Sequence, residues 1–488
     1  MSHGTPPHPT VDERPDPGED GPDPAPGRRW SVLTLVCLAQ FMLVLDVTVV
    51  NVALPSMGAD LGLGRETLTW VVTAYALAFG GLMLLGGRIA DLLGGRTAFL
   101  VGLAVFTAAS AAAGLAPNGE VLLAGRVAQG AAAALLSPAA LALVTVTFRG
   151  PDRNRALGVW AAIGGTGAAA GVLVGGLLTS GPGWEWIFFA NVPIGLAVLA
   201  GARTVLPART ARTSSGRLDL PGAITATAAT TLLILGVTRA GADGWGSPWA
   251  LVPLTGSALG YAAFVLVERR TREPLVPPRL ATRRPVVSGA FVMLVASGLL
   301  IPLFFLGSMY LQQRLGFGAL RTGLAFLPVA VAVTAGAHLG GVLVGRVGPR
   351  TVGAAGLAIA AAGALLLSRL PGHGGGAADV VPGLAIAAAG IGPAFVAATT
   401  TAMAHVSHHE AGLTSGLVNT FHELGGALGV ALTSALAASS LAPGARTVDG
   451  YTDAFLACGL VAAGAAVLIA VLLPAGVPPA GDGPRHLH

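Results

Sequence analysis

The chain has 488 residues, 53% hydrophobic and only 10% charged, with a mean hydropathy of +0.73, too little charge to cover a water-soluble protein of this size. The formal net charge is +5, but none of the 28 basic residues is Lys, and this excludes a P-loop, which needs its Lys on the nucleotide phosphates. The Arg residues lie in short loops between apolar runs, a pattern that speaks against nucleic acid as a partner and for a lipid bilayer as the surroundings.

Residues 1–29 are rich in Pro, Gly, Asp and Glu. They lack the basic-then-apolar order of a signal peptide and read as a disordered cytoplasmic tail. About 20 apolar residues cross a hydrocarbon core. By that rule fourteen spans follow, at 31–54, 67–87, 97–116, 120–147, 156–179, 185–206, 220–239, 248–267, 286–312, 322–345, 351–370, 380–403, 414–440 and 453–474. The expected fold is an all-α integral membrane protein. It has a six-helix bundle at 30–210, an inserted helix pair with a cytoplasmic loop at 211–284, a second six-helix bundle at 285–475 and a cytoplasmic tail at 476–488. Arg88, Arg96, Arg153, Arg155, Arg269, Arg270, Arg283, Arg284, Arg346 and Arg350 fall on one side of these spans. By the positive-inside rule that side is the cytoplasm, and both termini lie there. Losing the Thr- and Ala-rich span 220–239 together with 248–267 gives a twelve-span alternative. Cys37 and Cys458 lie within apolar runs and supply no disulfide or metal spacing.

A repeat is visible. Gly87 to Arg96 follows the second span, and Gly341 to Arg350 follows the tenth, 254 residues later. Gly167 to Gly171 has a counterpart at Gly425 to Gly429, offset by 258. A near-constant offset at equivalent places points to duplicated halves with a substrate path between them.

Ionisable groups inside spans are costly and mark function. Asp46 lies deep in the first span, where it must hold a proton or pair with a cation. Arg126 in the fourth span cannot deprotonate and needs a partner; Gln129 lies one turn on, on nearly the same face. His422 and Glu423, near Asn419, stand in the thirteenth span and suit either substrate or proton. His338 reads as a structural residue. His405, His408, His409 and Glu410 cluster near a loop without a tetrahedral ligand pattern, so no metal is expected. Small residues at Gly167, Gly171 and Gly175 allow close helix approach. No catalytic constellation stands out, so an enzyme is not expected.

The motifs resemble those of the major facilitator superfamily, specifically its fourteen-span drug:proton antiporters, from about Trp30 to Pro474. The carriers of the resemblance are Leu45-Asp46-Val47-Thr48-Val49-Val50-Asn51-Val52-Ala53-Leu54-Pro55, Gly87 through Arg96, Arg126-Val127-Ala128-Gln129-Gly130 and Trp186 through Gly195. Tyr310-Leu311-Gln312 with Gly316, and Thr322 through Pro328, complete the set. The resemblance implies alternating access, driven by the proton gradient with no cofactor, and export of hydrophobic or amphipathic small molecules such as antibiotics. It implies proton coupling at Asp46 and Arg126, and a cytoplasmic gate at Gly87, Asp91, Gly94 and Arg96. Asn51, Gln129, Tyr310, Gln312, Asn419, His422 and Glu423 are candidates for the substrate cavity. A monomer in the cell membrane suffices. The chain departs from the family pattern at Leu92 and Gly95, where basic residues are usual, and at Val172, where Pro is usual. It departs again at His422-Glu423, in place of an Arg-Gln pair. Export or import of a single metabolite, and a non-transporting membrane sensor, are the alternatives.

Overall fold

A computed structural model describes residues 26–148, 150–206, 219–271, 274–371, 376–404, 406, 410–441 and 447–472. Most of the two tails, together with His405, His408 and His409, lies outside the described residues. Among them there are helices and turns but no strand. Inside a bilayer only a helix satisfies each backbone N–H and C=O within its own segment.

The first half holds α1 (Pro26–Leu61), α2 (Arg65–Leu93), α3 (Gly95–Gly114), α4 (Gly119–Thr147), α5 (Gly150–Ser180), the short α6 (Trp186–Phe189) and α7 (Asn191–Val205). The inserted pair is α8 (Leu220–Asp243) and α9 (Pro248–Glu268). A short α10 (Pro278–Ala281) leads into α11 (Arg284–Met309), which ends in a π-helical turn at Tyr310–Arg314. Next come α12 (Ala319–Leu367), α13 (Ala377–Ala402), α14 (Ala411–Leu436), the short α15 (Ala438–Leu441) and α16 (Asp449–Leu472). Among the described residues eleven stretches are long and apolar enough to cross a membrane. One of them, within α12, holds two of the expected spans, because the helix turns at Gly348 (φ 80°). The helices α5 and α14 coincide with the fifth and thirteenth expected spans but are not among those eleven stretches.

Local chemistry sets the helix starts. Asn118 caps α4 by accepting from the Val121 amide at 3.0 Å. Asp219 accepts from the Gly222 amide at 3.1 Å, with a Pro opening α8. Ser247 caps α9 just ahead of Pro248. These residues satisfy amides that lack intrahelical partners. Side chains that face outward are apolar, as at Trp249 (71% exposed) and Leu259 (73% exposed) on α9, and this is what a helix bathed in lipid shows.

The two halves repeat one plan. Gly94 (φ 82°) turns the chain between α2 and α3, and Gly348 (φ 80°) makes the equivalent turn 254 residues later. Only Gly enters that left-handed region without strain. One half's apolar core gathers Phe99, Phe106 and Met42; the other gathers Leu306, Phe455 and Ile391. The inserted pair leans on both. Its Ile234 and Thr231 fill the space beside Gly80 and Gly81 of α2, and Gly241 packs on Ala431 of α14.

Backbones touch wherever glycine removes the side chain. A Cβ on Gly390 of α13 would strike the backbone of α12 at Gly356 and Ala360. Because backbone cannot swing aside, Gly390→Val should destabilise the second half by about 1–3 kcal/mol, the usual cost of overpacking. A lowered melting temperature of the purified protein is the readout.

Candidate functional site

Asp46 is buried at 1% exposure in the middle of α1, and Arg126 is buried at 1% in α4. Their separation, Arg126 Nη1 to Asp46 Oδ2, is 2.5 Å. Neither charge survives alone in a low-dielectric interior, and breaking such a pair strands its partner. The surrounding polar groups are arranged to hold it. Gln129 donates to Asp46 Oδ1 at 3.0 Å and accepts from Arg126 at 3.0 Å. Asn191, the first residue of α7, donates to the same carboxylate oxygen at 2.9 Å. Ser110 of α3 accepts from Gln129 at 2.7 Å. Arg126 Nε donates to the Val71 carbonyl of α2 at 3.1 Å. Its guanidinium lies 4.2 Å from the ring centroid of Tyr75, a contact worth about 2 kcal/mol when desolvated.

The group therefore joins α1, α2, α3, α4 and α7. Asp46, Arg126 and Gln129 were expected; Asn191, Ser110 and Tyr75 were not singled out. Asn191 sat within the Trp186–Gly195 motif as a polar residue at span depth, and that was its available signal. Ser110 and Tyr75 carry none that separates them from ordinary helix residues. The side chain of Asn51 lies outside the described residues. Gly167 and Gly171 of α5 press against Val44 and Thr48, which flank Asp46 on α1; Gly175 is buried farther along the same helix.

A second polar set lies on α14. His422 Nδ1 is 2.5 Å from Ser297 Oγ of α11, with its ring 5.6 Å from that of Phe395. Asn419 donates across the halves to Ser137 of α4 at 3.3 Å. Glu423 faces α2 beside Gly80. Tyr310 and Gln312 are not brought to either set. Tyr310 packs edge-on against Tyr451 in the core of the second half, and Gln312 donates to Ser308 one turn back. His338 forms no hydrogen bond or ion pair among the described residues. Neither does any group of three His, Cys, Asp or Glu side chains gather there as metal ligands would.

The Gly87–Arg96 segment joins the halves. Asp91, buried at the end of α2, accepts from the Gly412 amide at 2.7 Å and the Leu413 amide at 2.8 Å. Those amides open α14, where unpaired N–H groups and the helix dipole favour an anion. Gly87 lies against the Gly412 carbonyl and Gly416 Cα, and Gly158 of α5 lies against Ala337 and Gly341 of α12 in the same way. Arg153 adds a bond to the Met403 carbonyl at 2.7 Å. Arg96 stays within its own half, donating to the Arg203 carbonyl at 2.9 Å. These contacts hold the two halves together at the end of the molecule where the motif lies.

The sequence profile of the Major Facilitator Superfamily matches residues 36–430. The chain is 41% identical over 466 residues to a puromycin resistance protein of Streptomyces alboniger, covering 93% of this chain and 91% of that one. It is 40% identical over 448 residues to a cephamycin export protein of Amycolatopsis lactamdurans, covering 91% and 92%. A lincomycin resistance protein of Streptomyces lincolnensis is 37% identical over 449 residues, covering 90% and 91%. Among solved structures, a human organic anion transporter matches with a TM-score of 0.63 at 18% identity, over 91% of this chain and all of that one. A proton:xylose symporter matches with the same TM-score at 14% identity, over 92% and 96%. At those identities the likeness speaks for the fold.

Two outcomes follow from the geometry. Asp46→Asn and Arg126→Gln should each cost about 3–5 kcal/mol, the price of stranding a buried charge, while the double variant should cost less than their sum; thermal melts of the purified protein give the cycle. Asp91→Ala should loosen the closed end. Spin labels at the exposed Leu93 and Val347, one on each half, should report longer or broader distances, with Cys37 and Cys458 too buried to take label.

Proposed function

The chain belongs to the major facilitator superfamily, and from that premise we propose that it exports small hydrophobic or amphipathic molecules, antibiotics among them, in exchange for protons. The observation that carries the reading is the Asp46 carboxylate, buried in the first half and held by Arg126, Gln129 and Asn191. A carboxylate can gain and lose a proton, whereas Arg126 cannot. Asp46 is therefore the group that loads the proton, and Arg126 stabilises its charged form. The long relatives named for antibiotic resistance and export support the direction of transport.

We assign fourteen spans with both termini cytoplasmic. The halves are 30–210 and 285–475, the inserted pair with its loop is 211–284, and the motif end of the molecule faces the cytoplasm. With that end closed, the halves stand ready to open outward. In the cycle, a proton from outside loads Asp46 as the exported molecule leaves, and proton release inside accompanies capture of the next molecule. Only a difference in binding between the two states drives this exchange. Gly87, Asp91 and Gly94 act as the cytoplasmic latch, and Arg96 braces the loop from within its half. No cofactor is needed, the lipid bilayer is the surrounding partner, and a monomer suffices. Asn419 and Glu423 face the first half and are the preferred cavity residues, while His422 turns onto Ser297 within its own half.

In energised inverted membrane vesicles, an exported antibiotic should collapse the pH gradient. Asp46→Asn, in vesicles shown to hold folded protein, should abolish that collapse. Full substrate-dependent proton flux in Asp46→Asn sinks the assignment of Asp46, and the absence of flux across a panel of antibiotics in the native chain sinks proton-coupled export of them.

A further inference from the structure

The feet of the inserted pair carry two acids that the transport cycle does not use. Asp219 stands just ahead of α8 and is buried at 7% exposure. Its Oδ1 accepts from the Gly222 amide at 3.1 Å, while its Oδ2 is buried with no donor. That second oxygen turns toward Glu268, the last residue of α9. A Cβ on Gly222 would strike both Asp219 Oδ2 and Glu268 Oε1, and the two carboxyl groups stand within hydrogen-bond reach of each other. Glu268 is half-buried, and its two oxygens accept from the Leu275 and Val276 amides at 3.0 and 3.1 Å.

Two carboxylates in contact repel, and burial strengthens the repulsion. Such a contact needs a cation beside it or a proton within it. Arg269 and Arg270 are exposed beyond Glu268, and Arg88 lies one turn past Leu84 on α2. Tyr261 of α9 is bonded to Thr230, Asp91 of α2 is held by the amides that open α14, and Glu410 pairs with Arg283. None of the described hydrogen bonds or ion pairs joins any of these groups to Asp219 or Glu268. A metal ion fits the place poorly, because an amide hydrogen already sits on each Glu268 oxygen. A proton fits it, since a carboxylate oxygen that accepts one hydrogen bond has a lone pair left for another.

We propose that Asp219 and Glu268 share one proton, exchanged with the water at the motif end of the molecule, and that this proton fastens the inserted pair to the second half. The fastening runs through the strap that Glu268 holds. Leu275 is buried with Leu84 of α2 and with Ala223 and Ala226 of α8. Val276 packs with Leu280 and with Leu413 of α14. From there the strap runs directly into α10 and α11. Loss of the proton leaves two adjacent carboxylates, which part and release the strap. The site is separate from Asp46 and stands whether or not the chain exports antibiotics.

The folded chain holds this proton, whereas the carboxyl groups of the unfolded chain release theirs by about pH 5. Its contribution to stability is therefore complete at low pH and is lost as pH rises through release from the folded pair. The test is the melting temperature of the purified full-length chain from about pH 5 to pH 9. In Asp219→Asn the amide oxygen can still cap Gly222, and the NH2 can donate to Glu268 without titrating, so the alkaline loss should shrink. Asp219→Ser keeps a capping oxygen but removes the second acid, and should shrink the loss as well. At neutral pH the infrared band of protonated carboxyl groups should be stronger in the native chain than in either variant. At alkaline pH trypsin should cut after Arg269 and Arg270 severalfold faster in the native chain than in Asp219→Asn. An equal pH dependence of melting in the native chain and the variants overturns the shared proton, as does an unchanged infrared band. Stabilisation by calcium or magnesium ions that Asp219→Asn abolishes overturns it too, because a cation then holds the pair. Equal cleavage by trypsin overturns the release of the strap.

Discussion

A charge inside a bilayer must find a partner or lose its charge, and the first half of this molecule is built around that requirement. Arg126 cannot shed its proton, so its position on α4 obliges other helices to bring acceptors to it. The Asp46 carboxylate comes from α1 and the Val71 carbonyl from α2, while the Gln129 amide oxygen is supplied by α4 itself. Asp46 in turn draws Asn191 from α7, and Gln129 draws Ser110 from α3. Removing any one of these shifts the demand onto the rest, which is why a network of this kind specifies a single arrangement more than it adds raw stability.

The duplicated halves solve different problems with one plan. Advancing Asp46 and Arg126 by the repeat offsets reaches Leu300 and Leu384, both inside the apolar core of the second half. The buried ion pair thus belongs to one half. The same asymmetry governs the closed end. Gly87 meets Gly412 and Gly416 on one side of the interface, and Gly341 meets Gly158 on the other, backbone against backbone in both. Asp91 locks the first contact to the start of α14. The equivalent position in the second contact is Gly345, lying near the Asn154 amide. A carboxylate on helix-start amides ties the first contact, whereas on the side of the second contact the Arg153 cation reaches the Met403 carbonyl.

Much of this was legible in the sequence because lipid allows few alternatives. Apolar runs of span length and one-sided Arg residues lead directly to a helical membrane fold. Asp46 and Arg126 were visible for the same reason, since charge in an apolar run demands an explanation, and Gln129 because it lies one turn from Arg126 on nearly the same face. Asn191, Ser110 and Tyr75 were not, because a neutral polar residue becomes important only through the rotation of its helix, which a single sequence leaves free. Tyr310 and Gln312 illustrate the opposite limit. Their motif is real, but Tyr310 is spent on packing against Tyr451 and Gln312 on Ser308. His422 and Glu423 read as a pair along the chain, yet successive helical residues point about 100° apart. One turns to α11 and the other to α2.

The helix α2 is the element on which these features meet. Its Val71 carbonyl and Tyr75 ring hold Arg126. Its Gly80 makes room for Glu423, and Gly81 does the same for Thr231 of the inserted α8. Its Gly87 and Asp91 close the end of the molecule on α14. From Tyr75 to Asp91 is about 24 Å at 1.5 Å per residue, and a continuous helix transmits displacement over that length. Consider a proton arriving on Asp46. Arg126 loses its counter-charge and must lean harder on its remaining acceptors, of which the Val71 carbonyl and the Tyr75 ring both belong to α2. A pull at that point is a pull on the helix that carries the latch. Charge at the centre and closure at the end are then two loads on one rod, and a cycle that alternates them needs no longer chain of intermediaries.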